Sequence, residues 1–299
     1  MLGAALLAAC SRPAPPTPAD RLVAAVRADS LAGVLEILDA GGVPAVSLSD
    51  GALAITEAAR LGRDTILAEL LRAGADADAR DAAGYAAFDH AMAAGHAGVA
   101  DRLMRHAARR AGGGPRVMAW FDAVVLPTDD APGWDEVLSG ELLSLGLMYA
   151  ALHDRSDLIG AMRRAREIPN RTGYHALMVA ARWGRERAAW SLLGVDTHAD
   201  LASGSPLRST ALMEAARDGH VGIARRLLAA GARVDRADAE GRTALHWAAR
   251  AGQDAYARVL LEAGARRDLR DRDGQRPAEL AARAGHAALA TLLEPQAAP

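Results

Sequence analysis

The sequence predicts an all-α fold, built as a linear array of helix-turn-helix units joined by short hairpin loops. Two observations carry that prediction. The stretch Thr243-Ala-Leu-His-Trp-Ala-Ala-Arg-Ala-Gly252 repeats the pattern of Thr210-Ala-Leu-Met-Glu-Ala-Ala-Arg-Asp-Gly219, 33 residues earlier. A fixed period of this size marks a supersecondary unit that cannot bury its apolar face alone and must stack on its neighbours. The second observation is composition. Apolar residues reach 51% of the 299-residue chain while aromatics are only 4%, a balance that suits alanine-packed helices and argues against a sandwich or barrel.

The units follow from the beat of the glycines that precede each second helix. Gly62 and Gly95 are 33 apart, Gly219, Gly252 and Gly285 keep the same interval, and Asp29 takes that place in the first unit. Eight units result, at 20–45, 49–80, 81–110, 140–168, 170–200, 207–237, 238–270 and 271–294. Apolar and alanine positions at i, i+3 and i+4 predict two short amphipathic helices in each. The Ala-Ala pairs let adjacent first helices approach closely. Gly231 and Gly264 fall where a left-handed cap ends the second helix, and Asp-x-x-Gly supplies a tight turn at the hairpin. The unit at 140–168 rests only on Leu147-Met-Tyr-Ala-Ala151 and Leu158-Ile159. The 111–139 stretch fits no repeat. It opens Gly112-Gly-Gly-Pro115, contains Trp120, Phe121, Pro127, Pro132 and Trp134, and is expected to be an insert separating or laterally bracing two stretches of one array. The repeats therefore divide into an N-terminal group, 20–110, and a C-terminal group, 140–294, with a tail at 295–299.

The repeated residues resemble the ankyrin repeat, whose pattern runs Asp-x-x-Gly-x-Thr-Pro-Leu-His-x-Ala-Ala, Gly-His, an apolar second helix, then Leu-Leu-x-x-Gly-Ala. At 238–268 the likeness covers Asp238, Gly241, Thr243, Leu245, His246, Ala248, Ala249, Gly252, Leu260, Leu261, Gly264 and Ala265. The next unit keeps Asp271, Gly274, Pro277, Ala281, Ala282, Gly285, His286, Leu292 and Leu293 but lacks the threonine and histidine, as terminal capping copies do. The resemblance implies an ankyrin-repeat solenoid that binds a protein through a concave surface formed by hairpin tips and first helices.

The N-terminus carries a separate signal. Met1-Leu-Gly-Ala-Ala-Leu-Leu-Ala-Ala-Cys10 is a short apolar run ending in Leu7-Ala-Ala-Cys10, and it resembles the lipobox of bacterial lipoproteins, although no basic residue precedes the run. Residues 1–9 then read as a signal peptide, Cys10 as the lipidation site, and the proline-rich 10–19 as a tether holding the array off a membrane. Cys10 is the only cysteine, so no internal disulfide is expected. The expected location is the bacterial cell envelope, facing the periplasm, with the outer membrane favoured by Ser11; a cytoplasmic location is the alternative.

Candidate chemistry is largely absorbed by the repeat. His246 lies in the Thr-x-x-His phrase, and His96, His220 and His286 open second helices; all four read as structural, and they form no cluster with metal-ligand spacing. His153, His175 and His198 lie off the pattern, with no serine or cysteine nucleophile, base and orienting acid in view. Gly112-Gly-Gly lacks the phosphate-loop lysine and reads as a linker. Asp129-Asp130 with Asp135-Glu136 reads as surface acid or, alternatively, a cation site. No catalytic residues, cofactor or metal are expected. A formal net charge of −2 gives no reason to expect nucleic acid, and the 35 basic residues are all arginine, as coding bias in a GC-rich genome produces.

Binding residues are expected on the exposed register two positions before the helix-breaking glycine. It holds Arg27, Arg60, Arg182, Arg217, Arg250 and Arg283, with Ala93 and Leu152 the exceptions. A ladder of guanidinia suits carboxylates, so the partner protein is expected to be acidic; Ala-Ala-Arg is also common in ankyrin repeats generally, and Asp218 and Glu240 dilute the field. Tyr174 at a hairpin, Trp183 beside Arg182, and Arg242 beside Gly241 complete the expected surface. Trp247 and Trp190 are expected in the core. The chain thus reads as a noncatalytic, monomeric, lipid-anchored scaffold for a partner protein, with two alternatives: an envelope immunity protein against a toxin, or an enzyme with its site in 111–139.

Overall fold

The computed structural model describes residues 16–41, 53–125, 140–162, 176–193 and 200–294, with 201 and 204 excepted. These residues form 17 helices, with one isolated antiparallel bridge between Ala202 and Thr210. Sixteen of them make eight antiparallel pairs: α1 Pro18–Arg27 with α2 Leu31–Asp39, α3 Ala54–Arg60 with α4 Asp64–Arg72, α5 Ala87–Ala94 with α6 Ala97–Arg110, α8 Gly140–Leu152 with α9 Ser156–Ala161, α10 Ala176–Arg182 with α11 Glu186–Leu193, α12 Ala211–Asp218 with α13 Val221–Ala229, α14 Ala244–Ala251 with α15 Asp254–Glu262, and α16 Pro277–Arg283 with α17 Ala287–Leu293. The extra helix, α7 Pro115–Val125, lies between the third and fourth pairs.

First helices stack on first helices and second on second, giving two layers with one continuous core between them. The alanine pairs sit at the contact: Ala58, Ala59, Ala180, Ala181, Ala215, Ala216, Ala248 and Ala249 are fully buried. Leu67, Leu70, Leu192, Leu227 and Leu260 fill the space beneath them. Each hairpin Asp ties its own turn. The Asp238 carboxylate accepts from the backbone of Glu240 and Arg242, and Asp271 accepts from Gln275 in the same way. Successive hairpins are linked edge to edge, Ala239 N–H to Leu207 O at 2.7 Å and Arg272 N–H to Glu240 O at 2.9 Å.

The expected structural histidines work between units. At Gly252, in the left-handed region with φ 71°, an added Cβ would lie 2.5 Å from the His286 ring, so the glycine is required for both its backbone and its bare face. His96 meets Gly62 and His220 meets Gly184 likewise, and Gln253 takes this role at Gly219. The corresponding positions of the first and fourth pairs are Asp29 and Asp154, also left-handed at φ 55° and 57°, a conformation that Asp tolerates better than most residues. His246 accepts from Thr243 N–H at its Nδ1 and donates from Nε2 to Gln275 O, 3.2 Å away on the next hairpin; burial pushes its pKa down and keeps the ring neutral.

The stacking changes after the third pair. The principal partners of α8 are α6 and α10, so it packs on the preceding unit's second helix, where a regular continuation would use the first. Helix α7 wedges against α6 and α8 and buries Trp120 and Phe121 completely. Phe121 lies 4.6 Å from the Tyr149 ring. Around it, Arg105 donates to Tyr149 Oη at 3.0 Å and pairs with Asp122, while His153 Nε2 lies 2.8 Å from Asp101. Burial opposes ionisation of Asp101, yet hydrogen bonds from His153 and Tyr149 hold its pKa below the usual value. His153 thus has a bracing partner, and among the described residues no hydroxyl or thiol nucleophile bonds to it. Residues 126–139, with Asp129, Asp130, Asp135 and Glu136, lie outside the described residues, as do Cys10, Tyr174, His175, His198 and the 295–299 tail.

Candidate binding surface on the hairpin face

The arginine register is not a uniform exposed ridge. Arg27 and Arg60 both grip Glu57, Arg27 Nε at 2.7 Å and Arg60 Nε at 2.8 Å. The Arg60 guanidinium bonded to it, with Arg27 adding to the effect against the cost of burial, pulls the Glu57 pKa down to about 2. Arg217 Nε lies 3.1 Å from the fully buried Glu214, close enough for an ion pair though not aligned as a hydrogen bond. Arg283, exposed, bonds to Gln275. Only Arg250 is exposed with neither an acidic nor a hydrogen-bonding partner among the described residues.

Arg182 corrects the sequence expectation most sharply: it is 4% exposed. Its Nε donates to Met92 O at 2.6 Å, its Nη2 reaches Ala93 O, and its Nη1 pairs with Asp218. Trp183, expected on an exposed position, is half-buried and donates from Nε1 to Gly95 O at 3.3 Å. Arg217 adds a third donor side chain, to Ala93 O at 3.3 Å. The C-terminal carbonyls of α5 carry the negative end of the helix dipole; Met92 O also accepts from the cap N–H of Gly95, and all three carbonyls receive donors from residues some 90 to 120 positions later in the chain. This also explains Ala93. A long side chain in its register would compete with the arginines that converge there.

This seam draws the third unit against the fifth and sixth, and together with the seventh they line a cleft of about 450 Å³. It is lined by Tyr85 and Ala93 from the third unit, Arg182 from the fifth, Leu207, Arg217 and Asp218 from the sixth, and Arg242, Trp247, Arg250 and Ala251 from the seventh. Trp247 is 7% exposed, as expected of a core residue, and donates from its indole to Asp238 at 3.1 Å. Three guanidinium carbons lie over its ring, at 4.0 Å for Arg217, 4.5 Å for Arg242 and 5.9 Å for Arg250. The ring quadrupole attracts all three, and of them only Arg250 has neither an acidic nor a hydrogen-bonding partner among the described residues. Arg242 is also tied to Asp238, with Nε 3.1 Å from the carboxylate.

Trp190 departs from expectation in the opposite sense. It lies on the outer side of α11, 42% exposed, with Arg226 5.2 Å over its ring. The Leu192 that follows it faces inward, so the helix turns Trp190 away from the core. Sequence reasoning named four of the cleft residues, Arg182, Arg217, Arg242 and Arg250. It missed Tyr85 and Leu207 and placed Asp218 only as an acid diluting the arginine field; the break in register at Ala93 was the available signal.

Among the described residues no group of three or more potential metal ligands gathers, and no helix is long and apolar enough to cross a membrane. A family model described as ankyrin repeats, in three copies, matches residues 212–298. The described residues form an all-helical solenoid whose C-terminal part, 212–298, carries ankyrin repeats, a kind of repeat that typically serves as a protein-binding module. No curated protein matches the chain.

Proposed function

We propose that the protein is a noncatalytic, lipid-anchored scaffold of the bacterial envelope that binds a partner protein through its concave hairpin face. The observation that carries the binding site is the convergence of Arg217, Arg242 and Arg250 on Trp247 at the edge of an open cleft. Aromatic and arginine residues in a partly desolvated recess have the composition of an interface hot spot. Arg283 extends the surface towards the last unit, and Tyr174 belongs to it by sequence position. Arg182 and Trp183 contribute by shaping the cleft. The anchor rests on Leu7-Ala-Ala-Cys10 and the proline-rich tether that follows.

Two measurements test the reading. Crosslinking capture from the native envelope should identify one dominant partner with the wild type and lose it with Trp247→Ala/Arg250→Ala. Cys10→Ser should abolish lipid labelling and release the protein from the membrane fraction. Undiminished capture by the double variant places binding elsewhere, and an unlabelled wild type in the cytoplasm removes the anchor.

A further inference from the structure

Resting on that reading of the hairpin face, we infer that the cleft is a receptor for a single acidic side chain, presented by an extended segment of the partner beside an apolar residue. The charge balance of the walls points there. Arg182 is matched by Asp218, Arg217 by Glu214 and Arg242 by Asp238, which leaves Arg250 as the one guanidinium without a carboxylate among the cleft residues. The recess therefore carries one uncompensated positive charge. One carboxylate neutralises it; a second would be repelled by Asp218, which also lines the cleft.

The hydrogen-bonding inventory agrees. Arg250 offers five N–H donors and no acceptor. The half-buried Tyr85, which also lines the cleft, has a hydroxyl with no partner among the described residues, its ring held edge-on to His90 at 5.8 Å. A carboxylate accepts from both kinds of donor and carries no proton of its own to place. Beside the charges already paired, the lining is apolar: Leu207, Ala93, Ala251 and the Trp247 ring. That surface suits an aliphatic or aromatic neighbour of the acid. A cleft of about 450 Å³ holds two adjacent side chains of a peptide, and the hairpin residues that line it place it on the face an extended chain would follow.

The test uses the full chain and blocked hexapeptides with a central Leu-Glu, Leu-Gln or Leu-Lys pair, followed by tryptophan indole N–H resonances. The Glu peptide should shift the Trp247 indole saturably, with the Gln peptide binding about tenfold more weakly and the Lys peptide not at all, because a charge-assisted hydrogen bond is lost in the first and repulsion added in the second. Arg250→Gln should erase the Glu preference while leaving the other indole resonances in place, and Tyr85→Phe should weaken the Glu peptide by a smaller factor. Equal binding of the Glu and Gln peptides, or an unchanged preference in Arg250→Gln, overturns the inference. Free acetate or glutamate binding as tightly as the Glu peptide overturns the peptide in favour of a small organic acid. The wider reading fails separately: peptide discrimination can vanish while partner capture still depends on Trp247, and then only the acidic side chain is wrong.

Discussion

The C-terminal stack and the seam are held together by different kinds of bond. From 207 to 294 each unit meets the next through the same set of contacts: alanine pairs, a hairpin Asp, and a histidine or glutamine laid on the preceding glycine. At the seam none of these recurs between α5 and its new neighbours. Arginine and indole donors reach main-chain carbonyls, and α7 supplies bulk that alanine pairs cannot. A repeat tolerates a change of direction where long side chains span the gap that regular stacking would have closed. The gap becomes the cleft.

Core deletions give the largest effects and separate the two regions. Phe121→Ala should cost about 3–5 kcal/mol and Leu260→Ala about 2–5 kcal/mol, since both empty fully buried sites. Their reach should differ. Hydrogen exchange should show Leu260→Ala loosening the flanking C-terminal units, because solenoid stability is carried between nearest neighbours, whereas Phe121→Ala should loosen α6, α7 and α8 and leave 207–294 protected. Equal loss of protection along the whole chain in both variants would erase the distinction.

Two buried carboxylates give pH effects of opposite sign. Burial pushes Asp89 up to about 7, with Asp81 and Glu214 adding to it and the Ala86 N–H and Arg80 opposing. Its folded pKa is raised, so its contribution is fully present below the unfolded value near 3.8 and is lost as pH rises towards 7. Asp89→Asn should therefore flatten a fall in stability between about pH 4 and 7. Glu57, held at about 2, contributes above 4.5 and loses that contribution as pH falls towards 2, so Glu57→Gln should remove an acid-side loss. Denaturant midpoints of each variant against wild type at pH 3, 5 and 8 check both signs.

Smaller effects contrast two arginines of one register. Arg182→Ala should destabilise by about 1–3 kcal/mol, because the buried guanidinium's bonds to Met92 O and Ala93 O and its pairing with Asp218 are lost together. Arg250→Ala should stay within about 0.5 kcal/mol, as an exposed side chain with no partner to strand. Equal thermal shifts in the two would mean that the seam is no different from the stack.

The helix pairs and their core were legible because each is a local consequence of a phrase: Thr243 and His246 cap and bridge, Leu260 packs, and Gly252 turns. Trp247 also followed from its place in the phrase. The fate of Arg182 was not legible. Its sequence context is the same Ala-Ala-Arg as that of Arg250, and what distinguishes them is a partner 90 positions upstream, fixed by how α8 settles on α6. Trp190 failed for a local reason: apolar neighbours suggested burial, but the helix directs Leu192 inward and Trp190 out.

Because the acceptors of the seam are the main-chain oxygens of Met92, Ala93 and Gly95, the two sides of this contact differ in how they can drift. Side-chain replacements in α5 leave the acceptors in place, provided the newcomer is small: a Cβ at Gly95 would already lie 2.8 Å from the Arg182 guanidinium. The donor side has no such latitude, since Arg182, Trp183 and Arg217 each supply a group that few other residues offer. Divergent descendants of this chain should therefore keep the donors and the small size of positions 93 and 95 while the remaining outward letters of α5 turn over freely.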